Sequence, residues 1–117
     1  MEVARGEVWW VDLPEPKGSG PGGTRPVLVV QAGSFNRSAI ATIVVAAITS
    51  NLRLAEAPGN VLVSRGEAGL RKSSVVNVSQ LFTLDRSLLR SRAGKLRAAT
   101  LEGVAHGLRL VLGLGAA

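Results

Sequence analysis

The hydrophobic positions of this chain fall into short runs separated by turn-forming clusters, and the period changes only near the end. "EVWWVDL", Glu7 to Leu13, is β-prone and bounded by Gly6 and Pro14, which predicts a first strand. "PEPKGSGPGGT", Pro14 to Thr24, is too dense in proline and glycine for a helix or a central strand and predicts a long mobile loop. Pro26 to Gln31 predicts the second strand, and "GSFNRS" after it a turn or one short helical turn. Ile40 to Ile48 is β-branched and unalternating, which suits a strand buried on both faces, although periodicity alone leaves a buried helix open.

Beyond that run, "TSNLRLAEAPGN", Thr49 to Asn60, reads as a second loop, Val61 to Ser64 as a short strand, and "RGEAGLRKSS" as a basic connection. Val75 to Thr83 alternates apolar residues with Asn77 and Ser79, as a half-buried strand does. Leu101, Val104, Ala105, Leu108, Val111 and Leu112 then recur at helical spacing and predict one C-terminal helix with a single apolar stripe. Five or so short strands and a terminal helix point to a small, strongly bent antiparallel sheet or barrel. The 117 residues suit one domain spanning 1–117, and no internal repeat is visible.

Charge adds a class of partner. Fourteen basic residues against eight acidic ones leave +6, and eleven of the fourteen are arginines, which hold phosphates with paired hydrogen bonds. A polyanionic partner, nucleic acid or acidic protein, and simple solubility are equally served by such a charge. With no cysteine there is neither disulfide nor thiolate chemistry. The stretch Met1 to Gly6 lacks the apolar core of a signal peptide, and the apolar run Ala39 to Ile48 is about half the roughly 20 residues a membrane helix needs. The expectation is a soluble, cytoplasmic protein. Of the four aromatic residues, Trp9 and Trp10 are adjacent on a strand and so point to opposite faces, one into the core and one outward as an interface anchor or a stacking surface for a base.

Most catalytic chemistry is excluded. The eight carboxylates are scattered without the pairing that a divalent ion needs, and one histidine without cysteine cannot make a zinc site. "PKGSGPGGT" lacks the Gly-Lys-Ser/Thr ending of a phosphate-binding loop and opens no helix. His106 projects well off the apolar stripe and reads as an exposed surface histidine. What remains is arginine and hydroxyls at strand ends. Pro26 pushes the backbone of Arg25 toward an extended conformation and tolerates only a first or edge position in a strand. Thr49, followed by Ser50 and Asn51, is the first polar side chain after the buried run. Their structural alternatives are an ion pair of Arg25 with Asp12 or Glu15, and a turn built from side-chain hydrogen bonds at Thr49 to Asn51.

"RGEVWWVDL", a Gly/Pro loop, "RPVLVVQ", "AITSNLRLAEAPGNVLV", "SVVNVSQL" and "LRLVLGL" occur in this order over about Arg5 to Leu114. In these blocks the chain resembles the MazF (PemK-like) toxins of type II toxin-antitoxin pairs. The resemblance implies a mainly β fold, an SH3-like small antiparallel β-barrel with a C-terminal α-helix, working as a homodimer. It implies a sequence-specific endoribonuclease that uses no metal or other cofactor and cuts single-stranded RNA, whether messenger, ribosomal or transfer RNA, to 2′,3′-cyclic phosphate and 5′-hydroxyl ends. A cognate antitoxin with an acidic C-terminal segment would occupy the RNA groove.

The family's catalytic arginine falls on Arg25 and its strand-end threonine on Thr49, with Ser19 and Gln80 as polar support. Thr24, Ser50, Asn51, Arg53, Arg71 and Lys72 join the candidate RNA-binding set, Arg65 is a further loop cation, and the Leu52 to Pro58 loop is the candidate for setting the cut sequence. Some relatives carry a glutamate in the loop before the arginine, where this chain has Gly20 and Pro21. A loop carboxylate as general base is thereby in doubt, leaving Glu15, another group, or positioning and electrostatics alone. Two other readings share the fold: a toxin that holds a protein target such as gyrase, and a degenerate member that only binds its antitoxin.

Overall fold

The computed structural model describes residues 2–13 and 23–115. β-Branched and aromatic side chains place β1 at Glu7–Leu13, where Val8, Trp9 and Val11 are all buried. β2, Gly23–Val29, begins three residues before the expected Pro26. A short helix α1, Gly33–Asn36, then turns the chain into β3, Thr42–Thr49. β4, Val61–Val63, and the long β5, Ser74–Asp85, follow. β6, Leu89–Lys95, and α2, Ala98–Leu112, complete the order.

All pairings are antiparallel, in the spatial order β4-β5-β3-β2-β1-β6, and the sheet curls into a half-barrel with α2 packed against it. No helix among the described residues is long and apolar enough to cross a membrane.

The expected double-sided burial of β3 is present and has a definite cause. Ala46 and Ile48 pack with Val8, Leu28, Val76, Val78 and Val104 in a core beneath α2. Ile43 and Val45 pack with Trp9, Val11, Val27, Val29, Leu84 and Leu89 in a second core on the other face, closed by the curl of the sheet. Successive side chains of a strand point to opposite faces, so a central strand with cover on both sides has no polar positions to alternate. A 15-residue helix is marginal by itself in water. α2 is held by fully buried Val104 with Leu101 and Leu108 against the core, whereas Val111 and Leu112, at the end of the predicted stripe, are exposed.

Three expectations need correction. β6 was not expected, because "LRSRAGK" carries no apolar alternation; its arginines instead reach acids of β1, Arg92 to Glu7 at 2.8 Å and Arg90 to Asp12 at 2.6 Å. β5 does not alternate at its start, where Ser74 to Val78 are all buried, Asn77 included, because β3 and β4 flank it and α2 covers it. Pro26 is neither first in its strand nor on an edge strand of the sheet. The β2–β3 ladder runs only from Val27↔Ala47 to Val29↔Val45, so at Pro26 the side facing β3 is already open and the proline interrupts no pairing there.

Candidate functional site

The same early end of the β2–β3 ladder creates the cleft. β2 stays paired to β1 down to Leu13↔Gly23, and β3 stays paired to β5 up to Thr49↔Val75, so the two ribbons part between Arg25 and Thr49. Continued two residues past Val27↔Ala47, the register sets Arg25 opposite Thr49 on one face of the sheet. The notch is the mouth of a cleft of about 880 Å³. Trp10 and Leu13 line it from β1, Thr24 to Val27 from β2, Ala47 to Ser50 from the end of β3, Leu70 to Lys72 from the connection between β4 and β5, and Ser74, Gln80 and Phe82 from β5.

The cleft therefore gathers Arg25, Thr49, Thr24, Ser50, Arg71, Lys72 and Gln80 from the expected set. Asn51 and Arg53 are not among its lining residues: Asn51 caps the start of the 3₁₀ turn Leu52–Glu56 and Arg53 lies on it. Ser19, Glu15, Gly20 and Pro21 lie outside the described residues. The cleft also recruits Trp10, Phe82 and Ser74, which sequence reasoning did not assign to it. The adjacent-tryptophan rule had the only usable signal: Trp9 is buried with its indole N–H donating to Glu7 Oε1 at 3.0 Å, and Trp10, on the other face, presents itself to the cleft.

The two structural alternatives separate here. Among the described residues Arg25 makes no ion pair; Asp12 is engaged by Arg90 and accepts from the Thr24 hydroxyl at 3.3 Å. Arg25, exposed, lines the cleft, and the other acid considered for it, Glu15, lies outside the described residues. The hydroxyl of Thr49 does enter the turn expected of such a cluster, accepting from the Asn51 N–H at 3.1 Å, while Asn51 Oδ1 accepts from the Arg53 N–H at 3.2 Å. Because Thr49 acts there as an acceptor, its own hydrogen remains to be donated, and the turn orients the hydroxyl.

A bulge shapes the opposite wall. β3 pairs Ala46 with Leu81 and Ala47 with Asn77, so Val78, Ser79 and Gln80 have no opposite residues and bow out of the ladder. That displacement carries Gln80 to the cleft.

On the fourth side, the turn Glu67–Gly69 is tied down before the chain reaches Arg71 and Lys72. Glu67 accepts from the Arg97 guanidinium at 2.9 Å and from the Arg97 backbone N–H at 3.1 Å. Burial raises the pKa of Glu67, but hydrogen bonds from Arg97 and Thr100 and the charge of Arg97 outweigh it and hold the carboxyl below its ordinary value. Gly69 has a φ of +76°, and a Cβ there would run into the Ala93 carbonyl of β6, so only glycine lets this turn lie flat on the sheet. His106 is exposed on α2, away from the cleft lining. Among the described residues no group of three potential metal ligands stands together.

The comparisons with known proteins agree with one another. The family model of PemK-like, MazF-like toxins of type II toxin-antitoxin systems matches residues 4–112. The chain is similar to endoribonuclease MazF2 of Mycobacterium bovis, 44% identical over 114 residues that span 97% of this chain and 100% of the relative. It is similar to the same extent to endoribonuclease MazF6 of Mycobacterium tuberculosis. An endoribonuclease from a mycobacterial species, solved in complex with its cognate antitoxin, superposes with a TM-score of 0.77 at 26% identity, covering 99% of this chain and 98% of that one. A second mycobacterial endoribonuclease superposes with a TM-score of 0.80 at 25% identity, covering 100% and 97%. With the family pattern matched over nearly its whole length, this chain belongs to the PemK-like, MazF-like toxins of type II toxin-antitoxin systems.

Proposed function

We propose that this protein is a sequence-specific endoribonuclease toxin that cuts single-stranded RNA, with Arg25 and Thr49 as its catalytic residues. The observation that carries the reading is their placement on opposite sides of one notch, an arginine with no ion pair among the described residues facing a threonine that still has a hydrogen to give. The reaction is attack of a ribose 2′-oxygen on the adjacent phosphorus. As the 2′-hydroxyl gives up its proton to solvent, the new 2′-O–P bond closes a 2′,3′-cyclic phosphate, the P–O5′ bond breaks, and the departing 5′-oxygen takes up a proton from solvent to become a hydroxyl. Negative charge grows on the phosphoryl oxygens as the 2′-oxygen adds, so a fixed guanidinium and a hydroxyl donor bind the transition state more tightly than the ground state.

Arg71 and Lys72, at the cleft rim, provide phosphate contacts that give affinity without sequence information. Trp10 and Phe82 offer flat faces on which an unstacked base can lie, and Gln80, Thr24 and Ser50 offer hydrogen bonds to base edges. The reading needs no metal ion, since among the described residues the polar lining of the cleft consists of cations, hydroxyls and an amide rather than carboxylates. Charge stabilisation and in-line positioning then supply the acceleration.

The same cations suit a cognate antitoxin whose acidic C-terminal segment lies in the cleft and excludes RNA. The protein works in the cytoplasm as a homodimer, a state supported by the exposed Leu110, Val111 and Leu112 at the end of α2 and Leu114 just beyond it.

Incubating purified protein with a long single-stranded RNA in EDTA tests the reading. Discrete cuts with cyclic-phosphate ends that vanish in Arg25→Ala are expected. No cuts would overturn the nuclease reading in favour of a protein-binding toxin, and cuts that persist in Arg25→Ala would overturn the site.

A further inference from the structure

The bulge that delivers Gln80 to the cleft has to dispose of the backbone donors it withdraws from the ladder. A buried N–H without a partner is rare in folded proteins because it loses its water without replacement. Here two asparagines take the place of the missing strand. Asn77, buried, accepts from the Ser79 N–H at 3.3 Å and from the Ser79 hydroxyl at 2.9 Å. Asn60, from the loop before β4, accepts from the Val78 N–H at 2.9 Å.

Asn60 does one thing more. Its Nδ2 donates to the Leu54 carbonyl at 2.8 Å, inside the 3₁₀ turn Leu52–Glu56. That turn is itself built on Leu54 N–H to Asn51 O at 3.1 Å, and Asn51 donates its N–H to the Thr49 hydroxyl. One side-chain amide therefore joins the segment that orients Thr49 to the bulge that presents Gln80, without itself lining the cleft.

From this geometry we infer that Asn60 is a positioning residue of the proposed ribonuclease, setting the separation of Thr49 and Gln80 across the cleft. The inference rests on the nuclease reading for its effect on rate and on the hydrogen bonds alone for its effect on structure. No other residue type of this size supplies both ends of the link: aspartate keeps the acceptor for Val78 but turns an oxygen toward the Leu54 carbonyl, and alanine removes both.

The test compares wild type, Asn60→Asp, Asn60→Ala, Gln80→Ala and the Asn60→Ala/Gln80→Ala double variant at a temperature well below each melting point. Misplacement of reacting groups by about 1 Å costs on the order of 100-fold, so a drop of roughly 10- to 100-fold in kcat/KM is expected for Asn60→Ala. If Asn60 acts through the bulge, adding Asn60→Ala to Gln80→Ala brings less than its single-variant loss. Amide hydrogen exchange is read on the same proteins. Asn60→Ala is expected to speed exchange at Val78, Leu54 and Ala57 together, and Asn60→Asp at Leu54 and Ala57 with Val78 spared. Fully additive kinetic losses, or unchanged kcat/KM in a merely less stable Asn60→Ala, would overturn the positioning role. Exchange that rises at Val78 alone would overturn the link between the two segments. A wild type that exchanges as expected yet cuts no RNA would remove the nuclease reading and leave the structural link standing.

Discussion

Two glycines one turn apart on α2 respond in opposite ways to the same substitution, because the helix meets different neighbours at each. In an open helical position Gly→Ala stabilises by about 0.8–1.0 kcal/mol, the difference in helix propensity. At Gly103 an added Cβ would lie 3.6 Å from Val61 Cγ2, an ordinary van der Waals contact, so the gain is kept and a methyl is buried besides. At Gly107 the same Cβ would lie 2.9 Å from the Gly59 carbonyl carbon and 3.1 Å from its Cα, and closer still to the oxygen. Carbon atoms pack best at about 3.5–4.0 Å, so the backbones must separate by roughly 0.5–1 Å.

Backbone on both sides leaves no rotamer change to relieve the clash. Forced overpacking of this kind costs about 1–3 kcal/mol, which exceeds the propensity gain. The net expectation is about 1 kcal/mol of stabilisation for Gly103→Ala and up to ~2 kcal/mol of destabilisation for Gly107→Ala. Thermal melts at fixed protomer concentration read both, since association shifts Tm, with about 4 °C per kcal/mol for a domain near this size. A Gly107→Ala protein stabilised as much as Gly103→Ala would refute the close approach of α2 to the loop that carries Asn60.

Electrostatic predictions follow from the cleft and its anchors. Replacing both Arg71 and Lys72 by alanine should lower the slope of log affinity against log salt for a non-cleavable RNA by about 1.4, at about 0.7 per phosphate contact on a single strand. An unchanged slope would remove both from the phosphate path. Thr49→Val, which keeps shape but removes the hydroxyl both as donor and as acceptor of the exposed Asn51 N–H, should lower kcat by about 100-fold with little change in melting temperature, measured by cleavage of a fluorogenic oligonucleotide. Glu67 has a folded-state pKa below its ordinary value of 4.5, so its contribution to stability is present above that value and is lost as pH falls through the depressed one. Glu67→Gln should therefore melt lower than wild type at neutral pH, the gap closing in acid; a gap that widens in acid would reverse the sign of the argument.

The elements that the sequence made legible are those whose cause is local. Glu7–Leu13 and the run Ile40 to Ile48, which forms β3 at Thr42–Thr49, announce themselves through β-branched and aromatic side chains, and α2 through the spacing of Leu101, Val104 and Leu108. β6 was invisible because its pattern answers to β1 rather than to a core: Arg90 and Arg92 are there to meet Asp12 and Glu7, more than seventy residues away in sequence. The start of β2 was misplaced for a related reason. Proline is unwelcome in a central strand, but whether a strand is central at a given residue depends on where its neighbour's ladder ends.

Residue chemistry and order, read along the chain, singled out Arg25 and Thr49 and assigned their family. Their meeting depended on something no local pattern encodes: the register Val27↔Ala47, which sets the two residues opposite each other, and its termination there, which opens the sheet between them. The bulge at Val78–Gln80 and the reach of Asn60 from Leu54 to Val78 are of the same kind. Local propensity decides which segments become strands, since it acts between neighbours in sequence. Which backbone donors go unpaired, and which side chains must replace their partners, is settled only when distant strands close on one another and water is expelled from between them.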